Sequence, residues 1–167
     1  GSFSLRLLQR FPAATVTAID LDPLLMTLAK EALAEYRGRI QFFSGDMAAA
    51  DCFSVIASKP QAVVSSTAIH WLLPEQQVAL YRNVFNLLDK GGMFMNADHQ
   101  RFDQRNPRQA LLARTHDDST QEKAWGAGVQ DWDSWFTAAS RYPELAEVID
   151  ARTAIFADRP PPLATTV

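Results

Sequence analysis

The sequence of 167 residues contains a single cysteine, Cys52, and only three histidines. One cysteine cannot form a disulfide within the chain, so the composition predicts a reducing, cytoplasmic location. Because the histidines are far apart in sequence and the cysteine stands alone, we predict no metal site.

The sequence also lacks an excess of basic residues and any long apolar run. Its formal net charge is −3 at pH 7, a balance that disfavours general binding to a nucleic-acid backbone but leaves a local basic patch open. No apolar run approaches the ~20 residues of a membrane span. No secretory signal is evident at the N-terminus either. We therefore expect one soluble globular domain without a membrane partner.

What the sequence does contain is an alternation of apolar strands and amphipathic helices. The β-branched run from Thr15 ends on Asp20, and Asp22 with Pro23 then begins a helix. Alternation of this kind predicts an α/β fold with a doubly wound, mainly parallel sheet. The predicted strands end at Asp20, span 40–44, 62–66 and 93–97, and are separated by helices over 24–37 and 74–88, with an ambiguous short helix around Phe53.

Beyond Asp98 the character of the chain changes. Residues 101–119 are polar and contain Arg101, Arg105 and Arg108, which we interpret as a solvated face rather than an anion site. A helical segment with five large aromatic side chains follows, and Asp131 is expected to begin one of its helices. We predict a Rossmann-like core over residues 1–100 and a helical segment over 101–167 that packs as a cap or closes over the acceptor. The aromatic residues of this segment are Trp125, Trp132, Trp135, Phe136 and Tyr142.

Both ends of the chain look cut. A doubly wound sheet needs a central strand before its first helix, and none precedes Gly1. Gly1-Ser2 is either a cloning remnant or the end of a phosphate-loop-like turn. We expect the chain to be the middle of a longer protein.

Five segments, in order, carry a family resemblance. Gly1-Ser2-Phe3-Ser4 is similar to the end of a glycine-rich loop, and the strands ending at Asp20 and Asp46 are similar to two further motifs. Residues 62–72, which end in His70-Trp71-Leu72, and the turn 87–92 complete the set. Together they resemble the class I S-adenosylmethionine-dependent methyltransferases, which have a Rossmann-like fold. The family's first strand, most of its glycine loop and its last strands have no counterpart here.

The resemblance implies S-adenosylmethionine as cofactor and assigns roles to particular residues. It implies that Asp20 holds the ribose, that Asp46 accepts the adenine amine and that Met47 packs on the ring. The loop from Ser65 to His70 would line the methyl end, and His70 would act as a base or orient the acceptor. The implied cofactor-binding residues are Gly1, Asp20, Leu21, Asp46, Met47, Ser65, Thr67 and His70.

Simpler interpretations stand beside these roles. Asp20 is otherwise a turn former, Asp46 a turn or helix cap, and His70 a structural histidine beside Trp71. For the protein as a whole we predict methyl transfer to a small-molecule acceptor. The alternatives are a tRNA methyltransferase of the same fold, an NAD(P)-dependent oxidoreductase and a non-catalytic cofactor-binding module. The sequence does not indicate an oligomeric state.

Overall fold

The computed structural model describes residues 1–98, 102 and 105–159. Its strands are β1 (Val16–Asp20), β2 (Ile40–Ser44), β3 (Ala62–Ser66) and β4 (Met93–Ala97). Its α-helices are α1 (Ser2–Arg10), α2 (Pro23–Ala32), α3 (Pro74–Leu87), α4 (Pro107–Gly126), α5 (Trp132–Ala139) and α6 (Ala146–Phe156). Short 3-10 turns lie at Ala34–Tyr36, Ile69–Trp71 and Pro143–Leu145.

The four strands form two parallel pairs. Strand β1 pairs with β2, with Asp20 opposite Ser44, and β3 pairs with β4, with Ser66 opposite Ala97. Each pair is joined by a helical crossover, and the helices and parallel strands confirm the predicted α/β class. In the described part of the chain the two pairs are separate sheets, whereas the sequence predicts one sheet.

Each strand pair has its own apolar core. Beside β1 and β2 the core cluster is formed by Leu8 of α1, Leu33 and Ile40, all at most 5% exposed. Beside β3 and β4 it is formed by buried residues of the following turn and of α3, with Val63 and Phe94 against them. The buried members of this second cluster are Ile69, Leu72, Leu80 and Val84.

Helix α2 ends earlier than the sequence predicts. The apolar stripe and the Arg37-Gly38 pair predict a helix through residue 37, but the α-helix ends at Ala32 and a 3-10 turn follows. Arg39 explains the early end, because its guanidinium donates to four backbone carbonyls at the end of α1 and just after it. This contact draws the chain back towards α1 and buries Leu33.

The ambiguous short helix around Phe53 does not form. The region is a succession of turns, in which Ala49, Cys52, Ser54 and Ile56 each donate to the carbonyl three residues earlier. Most of the polar segment 101–119 belongs to α4, a helix of 20 residues with no buried side chain, which lies within the predicted helical segment. Its sequence has no apolar stripe that would mark a helical period, although Pro107 occupies the favoured first position. Arg101 lies outside the described residues.

Helix α6 returns to the beginning of the fold and packs against α2. Its residues thereby come close to the carboxyl ends of β1 and β2, more than 100 residues earlier in the chain. None of the helices in the described ranges has the length and apolar character needed to cross a bilayer.

Candidate functional site

The carboxyl ends of β1 and β2 bring two of the predicted acids together. Asp20 is the last residue of β1 and is exposed, and its backbone carbonyl accepts a hydrogen bond from the Gly45 N–H at 3.0 Å. Asp46 follows directly. At Gly45 an added Cβ would lie 3.0 Å from Ile19 Cγ2, so the close approach favours glycine there. The strand ends thus present neighbouring carboxylates, as expected for a ligand site in an open α/β sheet.

Both acids also make local hydrogen bonds. Asp20 Oδ1 accepts from the Asp22 N–H at 3.0 Å, and Asp46 Oδ1 accepts from the Ala48 N–H at 2.9 Å. These bonds correspond to the turn-forming role that each acid has in the simpler interpretation. Each uses only one carboxylate oxygen, so a turn-forming role and a ligand-binding role are compatible in the same residue.

Asp46 has a second partner that the sequence does not reveal. Its Oδ2 is paired with the guanidinium of Arg159, which lies just beyond α6. Both side chains are about 30% exposed. An arginine therefore contacts the carboxylate for which the resemblance implies an adenine amine.

Asp22 performs a different task from its neighbours. It is 4% exposed, and its Oδ1 accepts from the N–H groups of Leu24 and Leu25 at the start of α2. Its Oδ2 accepts from Arg152 Nε at 2.7 Å. Arg152 also lies over the rings of Phe136 and Phe156, at 4.2 and 4.8 Å from their centroids. This ion pair fixes α5 and α6 against the beginning of α2.

Met47 and Cys52 connect the β2 end to the second core. The Met47 side chain is half-buried and packs against the cluster that contains Ile69 and Leu72. Cys52 is 8% exposed, and burial raises the pKa of its thiol, with the nearby charges of Asp51 and Asp46 adding to the shift. The loop after β2 is therefore anchored beneath the 3-10 turn that carries His70.

The end of β3 has a strained backbone. Thr67 has a φ of +50°, a left-handed conformation that is unfavourable for a β-branched residue. The Thr67 N–H donates to the Ala97 carbonyl at 3.1 Å, which keeps this residue attached to the end of β4. Strain of this kind recurs at functional sites, and it lies here in the predicted methyl-end loop.

His70 has an unexpectedly strong partner, Asp98. The ring Nδ1 lies 2.6 Å from Asp98 Oδ1, and the His70 backbone N–H donates to Asp98 Oδ2 at 3.0 Å. The Asp98 side chain is 1% exposed, whereas that of His70 is 25% exposed. In the sequence, Asp98 marks only the point after which the character of the chain changes. The signal that could have revealed it is an acid directly after a strand, the same pattern that identifies Asp20.

Two polar atoms near Asp98 are buried without a hydrogen-bond partner in the described part of the chain. They are Ser65 Oγ and Asn96 Oδ1, which belong to opposite residues of β3 and β4. Buried polar atoms normally have a partner, so this pair marks a position that a water molecule or a polar ligand group can complete.

The remaining predicted residues have simpler surroundings. Gly1 caps the start of α1, and an added Cβ there would lie 3.0 Å from Ala29 Cβ, so the beginning of α1 packs tightly against α2. Leu21 follows Asp20 at the strand end and is half-buried. A cavity of about 300 Å³ separates α1 from the ends of β3 and β4, with Phe3, Arg6 and Ser66 among its lining residues. Among the described residues no three acids, histidines or cysteines are placed to bind a metal ion.

The aromatic rings of α5 pack on one another, although Trp132 is 53% exposed. Trp132, Trp135 and Phe136 of α5 pack on one another with ring centroids 4.6 to 5.7 Å apart. Asp131 caps this helix by accepting from the Ser134 N–H at 2.7 Å, and that hydrogen bond lowers the pKa of the Asp131 carboxyl. Phe156 of α6 reaches Trp71 edge-on at 6.1 Å. The helical segment thus contacts the turn that contains His70.

Comparison with known proteins agrees with this geometry. The family described as "Methyltransferase domain" matches residues 1–92, more than half of the chain. No curated protein shows significant sequence similarity.

Two solved structures share the fold. The one described as "PigF with SAH" has 20% sequence identity and a TM-score of 0.51, over 62% of this chain and 30% of that chain. An O-methyltransferase family protein from Burkholderia thailandensis has 20% identity and a TM-score of 0.55, over 63% of this chain and 31% of that one. The chain therefore spans about a third of the length of these proteins.

Proposed function

The chain belongs to the methyltransferase domain family, and on that premise we propose that it serves S-adenosylmethionine-dependent methyl transfer to a small-molecule acceptor. The observation that carries the proposal is a pair of carboxylates at two neighbouring strand ends: Asp20 ends β1, and Asp46 follows Gly45, whose N–H donates to the Asp20 carbonyl. The solved neighbour described as containing SAH supports the same cofactor.

The chemistry of these two acids fits S-adenosylmethionine. Asp20 is exposed and uses only Oδ1 in its turn, so Oδ2 remains to accept from ribose hydroxyls. Asp46 would accept from the adenine amine after the Arg159 guanidinium moves aside. Met47 would offer the exposed part of its thioether to the adenine ring. Leu21 would contribute backbone groups next to Asp20, and Gly1 would contribute those at the start of α1.

The loop after β3 would hold the reacting end. When bound, S-adenosylmethionine supplies a methyl group whose carbon–sulfur bond breaks as the acceptor forms its new bond, and the electron pair leaves on a neutral thioether. Ser65 and Thr67 would contact the methionine part, and His70 would orient the acceptor. If the acceptor atom carries a proton, His70 Nε2 would take it and later release it to water. Because sulfur is a good leaving group, alignment supplies much of the rate.

The acceptor class follows from charge. The chain has a net charge of −3, and acids predominate at the strand ends, an environment that repels a phosphate backbone. We therefore favour a small molecule over tRNA. Transfer of a tritium-labelled methyl group to small phenols and carboxylic acids, compared with transfer to bulk tRNA, tests the choice. Labelling of tRNA alone would reverse it.

Calorimetric titration with S-adenosylmethionine tests the cofactor. In the intact protein that contains this chain, we expect one bound molecule of S-adenosylmethionine and no heat with NAD. Asp20→Ala should weaken binding by about 1.5–3 kcal/mol, the value of a hydrogen bond to a charged group, or roughly 10- to 100-fold. Asp51→Ala removes a nearby exposed carboxylate and should leave the affinity unchanged. If Asp20→Ala binds S-adenosylmethionine as tightly as Asp51→Ala does, Asp20 serves only to form its turn.

A further inference from the structure

Within the described part of the chain, the carboxylate of Asp98 contacts His70 through both of its oxygens. Oδ2 accepts the backbone N–H of His70 at 3.0 Å, and Oδ1 lies 2.6 Å from the ring Nδ1. The two residues are 28 positions apart in the sequence, one after β4 and one in the turn after β3. This two-point contact fixes both the backbone and the ring of His70 relative to the strand ends.

The burial of Asp98 determines which atom donates and which accepts in its contact with the His70 ring. A carboxylate that is 1% exposed is shielded from bulk water, and an ionised carboxylate can only accept hydrogen bonds. A neutral histidine carries one ring proton, and among the described residues the ring of His70 can donate to Asp98 Oδ1 only if that proton is on Nδ1. The lone pair of the ring then lies on Nε2, which makes no hydrogen bond to the described residues.

We propose that Asp98 is a positioning residue that holds the His70 proton on Nδ1 and leaves Nε2 as the basic nitrogen towards the methyl acceptor. The proposal rests on the proposed function, because an acceptor proton must be removed for Nε2 to matter. Asp98 acts through His70 and touches neither substrate nor cofactor.

A purely structural role would not require this geometry. Capping the backbone N–H of the 3-10 turn needs one oxygen, and Oδ2 supplies it. The second oxygen lies 2.6 Å from the ring nitrogen, shorter than the ~2.7–2.9 Å usual for charge-assisted N–H···O hydrogen bonds. The partially exposed His70 ring remains accessible, unlike the fully buried histidine expected of a core contact.

Further polar side chains lie on the same face of the β4 chain as Asp98. Asn96 and Asp98 are two residues apart, so along an extended chain their side chains lie on the same face. Asn96 Oδ1 and the opposite Ser65 Oγ lack a hydrogen-bond partner within the described ranges. A hydroxyl-bearing acceptor that reaches the His70 ring would also find these two atoms nearby.

The tautomer of His70 tests the proposal without any substrate. Long-range proton–nitrogen correlation spectra of the uniformly ¹⁵N-labelled chain at alkaline pH distinguish a protonated Nδ1 from a protonated Nε2. The chain has three histidines, so His70→Gln assigns the His70 signals by their loss. We expect the parent to show Nδ1–H. A His70 ring that carries its proton on Nε2 would overturn the proposal, whatever the outcome of cofactor binding.

Variants at position 98 give the matched comparison. Asp98→Asn keeps the shape and can still accept the backbone N–H, but its carboxamide offers both a donor and an acceptor to the ring. We expect a mixture of tautomers in Asp98→Asn and a return towards Nδ1–H in Asp98→Glu. An unchanged Nδ1–H tautomer in the asparagine variant would overturn the role of the carboxylate. If neither variant folds, the parent spectrum still decides.

Reaction with diethyl pyrocarbonate reports the basicity of Nε2 directly. Exposed His116 reacts in the same sample and serves as the internal reference. In Asp98→Asn we expect the His70 rate, relative to the His116 rate, to fall roughly tenfold, which corresponds to ~1.4 kcal/mol, at the lower end for one hydrogen bond to a charged group. An unchanged ratio would contradict the proposal even where S-adenosylmethionine binds normally.

Discussion

Arg152 and Asp22 are 130 residues apart in sequence, yet Arg152 Nε donates to Asp22 Oδ2 at 2.7 Å in a largely buried ion pair. The same carboxylate caps α2 through its other oxygen. One side chain thus determines where α2 begins and where α6 docks. Because the two functions use different oxygens, suitable substitutions can separate them.

The first prediction concerns that separation. Asn caps helices as well as Asp does, so Asp22→Asn should lose only the ion pair, whereas Asp22→Ala should lose the cap as well. We expect the alanine variant to be less stable than the asparagine variant by about 1 kcal/mol. Urea unfolding measures both. Equal midpoints for the two variants would show that the cap contributes nothing.

A second prediction concerns the guanidinium of Arg159, which is paired with the Asp46 carboxylate. Arg159 must leave this carboxylate before the adenine amine can bind, so Arg159→Ala should strengthen S-adenosylmethionine binding. Both side chains are about 30% exposed, and pairs of this kind contribute about 0–1 kcal/mol, so the gain should not exceed about fivefold. Calorimetry measures it, with exposed Arg82→Ala as the matched control. Weaker binding in Arg159→Ala would mean that the arginine itself contacts the cofactor.

A third prediction uses the left-handed backbone of Thr67. At an ordinary helix position alanine is more stable than glycine by about 1 kcal/mol. At a φ of +50° the order should reverse, because only glycine adopts this conformation without strain. Thr67→Gly should therefore unfold at a higher urea concentration than Thr67→Ala. If Thr67→Ala is instead the more stable of the two variants, the backbone strain at position 67 is relieved in solution.

The fourth prediction concerns Cys52 and pH. Burial raises the pKa of its thiol, so the folded protein retains the thiol proton at a pH where the unfolded chain has lost it. This contribution to stability is complete below the unfolded pKa, about 8.5, and is lost as pH rises towards the folded value. Unfolding experiments above about pH 8.5 should show a steeper decline in the parent than in Cys52→Ala. If stability declines equally with pH in the parent and in Cys52→Ala, the Cys52 thiol does not cause the decline.

Local sequence carries enough information to predict the strands but not the contacts between distant segments. The bounds of 40–44, 62–66 and 93–97 follow from short, mainly apolar runs next to turn residues, and the structure has the same bounds. The residues that complete the site, by contrast, are Arg152, Arg159 and Asp98, which lie 28 to 130 residues from their partners. No periodicity or spacing predicts such pairs, because they depend on how α6 and β4 return to the strand ends.

A contact between residues that are distant in sequence also explains why α2 ends earlier than predicted. The α2 stripe continues past Ala32 in sequence, but Arg39 ties the chain to the carbonyls at the end of α1, and this tertiary contact overrides the local preference. Helix α4 shows the opposite case, in which a helix forms without a buried face that would reveal it. Sequence patterns are therefore better at predicting helices and strands that pack through one apolar face than at predicting those without such a face.

The two separate apolar clusters mean that the native state need not open as a unit. One cluster surrounds Leu8, Leu33 and Ile40, and the other surrounds Leu80 and Val84, so each strand pair is held by side chains of its own half. Amide hydrogens in the two halves will then exchange with solvent through different partial openings. Each half can fluctuate while the other stays closed, whereas the loop after β2, whose Met47 packs on the second cluster, will respond to the opening of either half.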